Sequence, residues 1–293
     1  MRTPHRRKPL LTATLTAAAL VLAGCTDSTA TTTTATPTGT APPAVSPGTA
    51  APVTLPPVGA LPDYQLGGAY DPPDGVGVVV RDRTERPAAG IYSICYVNAF
   101  QTQPGEISDW PVDLLLREES GDVVFDPDWP DEAIIDTRDP RAVARFVAPW
   151  IEGCAASGFD AVEFDNLDTY TRTGGALTRE DNVEVARLLV QAAHSAGLAA
   201  GQKNAAEDAP MLRTTAGFDF AVVEECSVYD ECGTYAAVYG DHVIAIEYPD
   251  ALTESFAVVC ASAEAPRSLI LRDRDLTSPE SDDYVFVACT DAR

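Results

Sequence analysis

Lysine is almost missing from this chain: of 293 residues, only Lys8 and Lys203 carry an ammonium side chain. Histidine is nearly as scarce, with His194 and His242 the only two beyond the N-terminal segment, and no CxxC pair occurs. The donor set of a zinc site is therefore absent, and neither metal nor cofactor is expected. No GxGxxG or P-loop pattern follows any apolar run, which weighs against a nucleotide-binding doubly wound sheet. Positive charge is short overall, with 20 Lys+Arg against 44 Asp+Glu and a formal net charge of −24. Such a balance disfavours nucleic acid and anionic polymers as partners and favours cationic ones. Solubility in an extracellular or salty medium is the other reading of that charge.

The N-terminus has the layout of an export signal. Arg2, Arg6, Arg7 and Lys8 precede an apolar run, Leu10 to Leu22, that is too short to span a bilayer comfortably. The run ends in Leu22-Ala23-Gly24-Cys25, which resembles a bacterial lipobox. That resemblance implies cleavage before Cys25, acylation of its sulfur and an extracellular lipoprotein held at the cell membrane. Residues 26–60 are mostly Thr, Ala, Pro, Ser, Gly and Val, a composition expected to stay disordered and extended as a tether. Residues 61–293 then have the size of one α/β barrel. After removal of 1–24 the chain keeps 16 basic residues against 44 acidic ones, a formal charge of −28. Six cysteines remain beyond Cys25: Cys95, Cys154, Cys226, Cys232, Cys260 and Cys289. An even number in an exported domain points to disulfides, although spacing leaves their connectivity open. The local pair Cys226–Cys232 is favoured, followed by Cys260–Cys289.

Short apolar runs without alternation recur along 61–293 and read as buried parallel strands. They are Tyr64–Leu66, Val76–Val80, Ile91–Val97, Ala161–Phe164, Leu198–Gly201, Phe218–Val223, Val243–Ile246 and Ser268–Leu271. Helical patterns fill several gaps. Asp139–Ser157 places Val143, Phe146, Val147, Trp150 and Ile151 near a 3.6-residue period. Thr178–Ala196 opens with Thr178 and Asp181 as a capping box and stops before Gly197. Thr253–Ala263 is a third amphipathic stretch. Eight strands with intervening helices predict a (β/α)₈ TIM barrel, with the first helices degenerate because the early crossovers are short.

Polar residues follow the apolar runs: Asp82, Asp165, Asn166, Lys203, Asn204, Glu224, Glu247 and Asp273. Strand C-termini of such barrels face the active site. Loops are polar in any protein, but the one lysine of the domain standing at a strand end marks Lys203 as a site residue. Cleaving a glycosidic bond needs one carboxyl to protonate the leaving oxygen and a second as nucleophile or base, ~5–5.5 Å away for retention or ~6.5–9.5 Å for inversion. Asp165 and Glu224 are the candidates, with Glu163, Asp168, Glu225 and Glu247 also available. A calcium site at Asp165, Asn166 and Asp168 lacks the glycine-containing loop.

These residues carry a family resemblance. Gly158 to Tyr170, GFDAVEFDNLDTY, resembles the G-F-D-G-V-E-x-D-N-x-D-x-Y signature of the endo-α-1,4-polygalactosaminidase family, glycoside hydrolase family 114. In order around it stand Trp129-Pro130-Asp131-Glu132 with Asp136, Ala192 to Leu198 running into Gln202-Lys203-Asn204-Ala205, Phe218 to Cys226 with Tyr229 and Cys232, and Ile246-Glu247-Tyr248. The resemblance spans roughly residues 61–275. It implies a TIM barrel that cleaves α-1,4-linked galactosamine polymers, with Asp165 as nucleophile and Glu224 as acid/base. Sugar contacts are implied for Asp82, Asn166, Asp168, Lys203, Asn204 and Glu247, and Tyr96 and Tyr248 join the substrate-binding set. Cys226–Cys232 looks like the family's disulfide beside the acid/base. Departures lie in the subsites: Val223 stands where the family has Asn, Tyr64 where it has Trp, and the loop after Tyr96 differs. The mechanism expected is retaining, with Glu224 kept protonated by partial burial and Lys203 holding Asp165 ionised. An amino-sugar or other cationic polysaccharide, and a membrane through Cys25, are the expected partners of a monomer. A carbohydrate-binding lipoprotein without catalysis and an α-glycosidase for another sugar are the alternatives.

Overall fold

The computed structural model describes residues 53–289. Eight parallel strands pair in chain order: β1 (Leu61–Gln65), β2 (Val76–Asp82), β3 (Tyr92–Asn98), β4 (Ala161–Asp165), β5 (Ala199–Lys203), β6 (Phe220–Glu224), β7 (Val243–Glu247) and β8 (Ser268–Arg272). They form a nearly closed barrel, the expected TIM-type fold. A ninth strand that the sequence did not announce, β9 (Phe286–Ala288), runs antiparallel along β8. The seam between β8 and β1 is held by Arg272, which is fully buried. Its guanidinium pairs with Asp63 Oδ1 at 2.9 Å, donates to Tyr64 O, and reaches Val285 O at 2.9 Å.

Because side chains alternate along a strand, each strand feeds two cores. Tyr64, Val78, Val80, Ile94, Ala161, Ala199, Phe220, Val222, Ile244, Ile246 and Ile270 fill the barrel interior. The intervening residues, among them Val97, Val162, Phe164, Val223 and Ala245, pack outward against the helices. Two full-length helices cover that outer layer. In α1 (Pro140–Ser157), Asp139 caps the Ala142 N–H, Pro140 pre-sets the first turn, and Gly158 at φ 95° ends it. In α2 (Arg179–Ser195) the capping box closes in both directions between Thr178 and Asp181. The shorter elements are α3 (Ala209–Met211), a π turn over Leu212–Ala216, α4 (Cys232–Tyr239) and α5 (Phe256–Ala261). No helix separates β1 from β2 or β2 from β3, as the short crossovers predicted.

The connection 99–139 carries isolated antiparallel bridges, such as Gln101↔Ile134 and Phe125↔Ala133. Three disulfides staple the domain: Cys226–Cys232 and Cys260–Cys289 as expected, and Cys95–Cys154, which ties β3 to α1. The tether boundary moves. Val53, Leu55 and Ala60 pack against the barrel interior cluster, and Tyr92 OH donates to Thr54 O at 2.7 Å. Those apolar side chains cover the barrel, so the folded unit starts before residue 61. The signal segment, Cys25 and the tether up to residue 52 lie outside the described residues.

Candidate active site

The inner-face residues at the C-terminal ends of the strands converge. Tyr64 comes from β1, Asp82 from β2, Tyr96 from β3, Glu163 and Asp165 from β4, Lys203 from β5, Glu224 from β6, and Tyr248 just follows β7. The polypeptide turns sharply after three of these strands. Asn166, Asn204 and Glu225 directly follow Asp165, Lys203 and Glu224, and all have positive φ, at 60°, 47° and 58°. Asn tolerates this region best. The turn bends the backbone away while the last strand side chain stays over the barrel, and Asn166 N donates to Asp165 Oδ1 at 2.7 Å.

Lys203 is the hub. Its Nζ lies 2.9 Å from Glu224 Oε2, 3.4 Å from Asp165 Oδ2 and 3.9 Å from Glu163 Oε1. The facing oxygens of Asp165 and Glu224 are thus at most 6.3 Å apart, the sum of the first two distances. Tyr96 OH donates to Asp165 Oδ2 at 2.8 Å, and Tyr248 OH donates to Glu224 Oε1. Asn204 donates to Glu224 Oε2 at 3.3 Å and accepts from Glu224 N at 2.8 Å. Tyr64 OH donates to Glu163 Oε1 at 2.8 Å, while Glu163 Oε2 has no partner.

This arrangement separates the carboxyl groups electrostatically. Burial pushes Glu163 up to about 8; Lys203 and Tyr64 oppose the rise, and Asp165 and Glu224 add to it. Burial would raise Glu224 too, but Lys203, Tyr248 and Asn204 together hold it below the ordinary carboxylate value. Burial would drive Lys203 down, but the charges of Asp165, Glu224 and Glu163 hold it well above its ordinary value, so it stays an ammonium. One expectation shifts here: burial was to keep Glu224 protonated, whereas Lys203, Tyr248 and Asn204 outweigh burial and hold it low, and Lys203 pairs with Asp165 as expected but also with Glu224.

Around this hub lies a cavity of about 560 Å³ whose wall includes Asp82, Tyr96, Asp165, Asn166, Asn204, Glu224 and Tyr248. A smaller hollow of about 270 Å³ shares Asn204 and Glu224 with it and includes Asp168 and Tyr229. Every substrate-binding candidate but two lines one of these spaces. Lys203 is buried beneath them at 3% exposure. Glu247 is the misplaced one: it is fully buried and its Oε1 accepts from Ser227 N at 2.9 Å, beside the Cys226–Cys232 bridge. Its strand parity explains this. Val243, Ala245 and Glu247 point toward the helix layer, while Ile244, Ile246 and Tyr248 point inward. Val223 faces outward by the same rule, so the departure from Asn does not alter the cavity.

Residues not named as site residues from the sequence also shape the cavity. Trp129 and Glu132, from the 99–139 connection, line it. Burial pushes Glu132 up to about 7, against hydrogen bonds from Gln101 and Asn98. Arg274 lies over the Tyr248 ring at 4.6 Å and is pinned by Glu225 and Asp250 at 2.8 and 2.7 Å. Arg172 ties Asp168 to Asp126 at 2.9 and 2.5 Å and donates to Asn166 Oδ1. Glu163 was foreseeable, since it shares the inner face of β4 with Asp165, and Trp129 and Glu132 stood in a motif of the resemblance without being given a role; Arg274 left no local signal beyond being a polar loop residue.

A TIM barrel with paired carboxyl groups at the C-terminal mouth has the layout of a glycoside hydrolase. The model of glycoside-hydrolase family GH114 matches residues 42–293. The chain belongs to that family and is a glycoside hydrolase. Its fold is similar to that of Aspergillus fumigatus Ega3, whose crystal structure was solved in complex with galactosamine. Identity is 22%, with a TM-score of 0.66, over 82% of this chain and 100% of that one. It is also similar to the glycoside hydrolase domain of PelA from Pseudomonas aeruginosa. Here identity is 13%, with a TM-score of 0.57, over 78% of this chain and 98% of that one. No curated protein sequence matches the chain.

Proposed function

We propose that the protein cleaves α-1,4-linked galactosamine-containing polysaccharide within the polymer, by a retaining double displacement. Asp165 attacks the anomeric carbon and Glu224 protonates the leaving oxygen, then activates the water that releases the sugar. One observation carries this reading: Asp165 and Glu224 share Lys203, with facing oxygens at most 6.3 Å apart. Two carboxyl groups held on one ammonium suit the ~5–5.5 Å spacing of a retaining pair better than the wider gap that an inverting enzyme keeps for its water.

Endo-action is supported by the shape of the site. The two hollows meet at Glu224, so sugar units can extend to either side of the acid/base. Each arm carries an exposed aromatic ring, Trp129 at 61% and Tyr229 at 64%, suited to stacking on a sugar face. The amino-sugar reading is supported by the walls: Asp168, Glu207, Glu225 and Glu231 surround the smaller arm, a setting that attracts ammonium groups. Galactosamine bound by Ega3 points the same way. The lipobox-like Cys25 and the Thr/Pro-rich tether that follows it place this activity at the outer surface of the cell membrane in our reading.

The test is product analysis on partly deacetylated galactosamine polysaccharide. Oligosaccharides from the parent should retain the α-configuration in freshly formed product by NMR. Glu224→Gln should lose about 10²–10⁴-fold in kcat, the range for removing a positioned acid–base group, and Asp165→Asn, which removes the nucleophile, should lose at least as much. Full activity of Glu224→Gln on the natural polymer would refute the assignment, and an initial β-anomer would replace retention with inversion.

A further inference from the structure

The barrel mouth gathers three carboxyl groups around one cation. Glu163, Asp165 and Glu224 lie 3.9, 3.4 and 2.9 Å from Lys203 Nζ, and the domain has no other lysine. The nearby arginines are engaged elsewhere, Arg272 with Asp63 and Arg274 with Glu225 and Asp250. Three ionised carboxylates on one buried ammonium would leave uncompensated charge in a low-dielectric site, so one of them holds a proton. Glu163 is the one built to hold it. It is fully buried, farthest from Lys203, and receives a single hydrogen bond, from Tyr64. Asp165 and Glu224 each accept several hydrogen bonds, and those to Glu224 favour its anion. The groups facing Glu163 are Tyr64 from β1, Tyr96 from β3, Asp165 from its own strand, Lys203 from β5 and Glu224 from β6. β2, β7 and β8 present Val78, Val80, Ile244, Ile246 and Ile270 to the interior, with Asp82, Tyr248 and Arg272 at their ends.

Hydrolysis, on the reading above, needs that proton on Glu224. We propose that Glu163 is the resting store of the proton that Glu224 delivers to the leaving oxygen, with Lys203 as the conduit between them. In the transfer, a Lys203 N–H bond breaks as its proton passes to Glu224 Oε2. The neutral amine, no longer held by Glu224, then closes the 3.9 Å gap to Glu163 and takes the proton from its carboxyl. Glu224 ends neutral, Glu163 ionised and Lys203 an ammonium again, with no proton drawn from solvent. When Glu224 later takes a proton from the attacking water, the same path run backwards refills Glu163. Glu163 is thus a positioning residue for the proton and does not touch substrate.

The consequence is a pH profile that belongs to the cluster rather than to Glu224 alone. The alkaline limit of kcat/KM reports the loss of the last carboxyl proton from the free enzyme. With Glu163 as the store this limit lies at about 8. Glu163→Gln removes the store, so Glu224, held low by Lys203, must keep its own proton. The alkaline limit of that variant should move to the acid side, with a loss on the order of tenfold per pH unit above it. Its deficit relative to the parent should be smallest at mildly acid pH, where Glu224 keeps its own proton, and should widen as pH rises. Tyr64→Phe removes the hydroxyl that favours ionised Glu163, and its limit should move upward. A Glu163→Gln profile parallel to the parent's, or a limit that moves upward, overturns the proposal.

Infrared spectroscopy gives a readout independent of activity. The parent should show a neutral-carboxyl C=O component that vanishes as pH rises through about 8; in Glu163→Gln that component should be gone and only the contribution of Glu132, which is pushed up to about 7, should remain. A parent without that component at neutral pH overturns the proposal whatever the kinetics show. A parent that cleaves no galactosamine polymer would overturn the hydrolytic reading and the delivery step with it, while that component would still decide whether Glu163 is the neutral carboxyl.

Discussion

Lys203 is 3% exposed and ringed by Glu163, Asp165, Glu224 and two tyrosine faces, Tyr64 and Tyr96, at 5.4 and 5.9 Å. Replacing it by Met keeps most of the volume but leaves the carboxylates with no counter-charge. Breaking a buried ion pair from one side costs about 3–5 kcal/mol. Lys203→Met should therefore lose stability of that order at neutral pH and recover part of it as the carboxyls protonate in acid, read by denaturant titration across pH. Glu163 makes the opposite kind of contribution. Its pKa rises from 4.5 to about 8 on folding, so the folded state holds a proton that the unfolded chain has released. The stability it confers is complete below about 4.5 and is lost as pH climbs through about 8, with a slope of up to ~1.4 kcal/mol per pH unit. Glu163→Gln should remove this slope. The parent and variant melting temperatures should diverge in favour of the variant as pH rises through that window.

At the scale of elements, β5 shows how the interior is fitted to the site. Gly201 pairs with Glu163 in the sheet register, and a Cβ there would stand 2.6 Å from the Phe220 ring. The glycine is needed for that close approach. Gly201→Ala should overpack the barrel at a cost of about 1–3 kcal/mol and lower the melting temperature without changing any titrating group. The disulfides act on the opposite face. Cys95 points outward from β3 to reach Cys154 on α1, away from the cavity. Replacing both by Ala should cost roughly 2–5 kcal/mol. The kcat of the folded fraction should be unchanged, a combination that separates support of the barrel from chemistry at its mouth.

For the whole molecule, the proposed substrate gives the net charge a testable consequence. The chain carries 44 acidic residues against 20 basic ones. A galactosamine polymer with free amino groups is a polycation, so its local concentration near the mouth is raised by a long-range field that salt screens over about 8–10 Å. On deacetylated polymer, KM should rise with ionic strength while kcat holds, and on fully acetylated polymer the dependence should largely vanish. Activity on the free-amine polymer that is indifferent to salt would remove electrostatic capture from the account. Tethering through Cys25 belongs to the same scale, and radiolabelled fatty-acid incorporation lost in Cys25→Ser would establish it.

Composition and local pattern determined a good deal by themselves. Continuous apolar runs reveal β2 to β8, because a buried parallel strand is apolar on both faces, whereas β1 (Leu61–Gln65), with Asp63 and Gln65 buried in it, overlaps the expected Tyr64–Leu66 only at Tyr64 and Gln65. The capping box and the glycine stop bounded α2 for equally local reasons. Polar residues at the strand ends, with one lysine among them, marked where chemistry would lie. What tertiary structure alone decided was direction and distance. A run that is apolar on both faces does not say which residue points inward, so Glu247 looked like a site residue while Tyr248 is the one that reaches Glu224. β9 has only three residues and owes its strand to β8 and the Arg272 seam. Trp129 and Glu132 come to the cavity through a long connection whose path depends on bridges between distant residues. The protonation order is the clearest case. Glu163 and Glu224 are the same side chain in sequence, and only the tertiary structure gives them unequal distances from Lys203 and unequal hydrogen bonding, which push the first up and hold the second low.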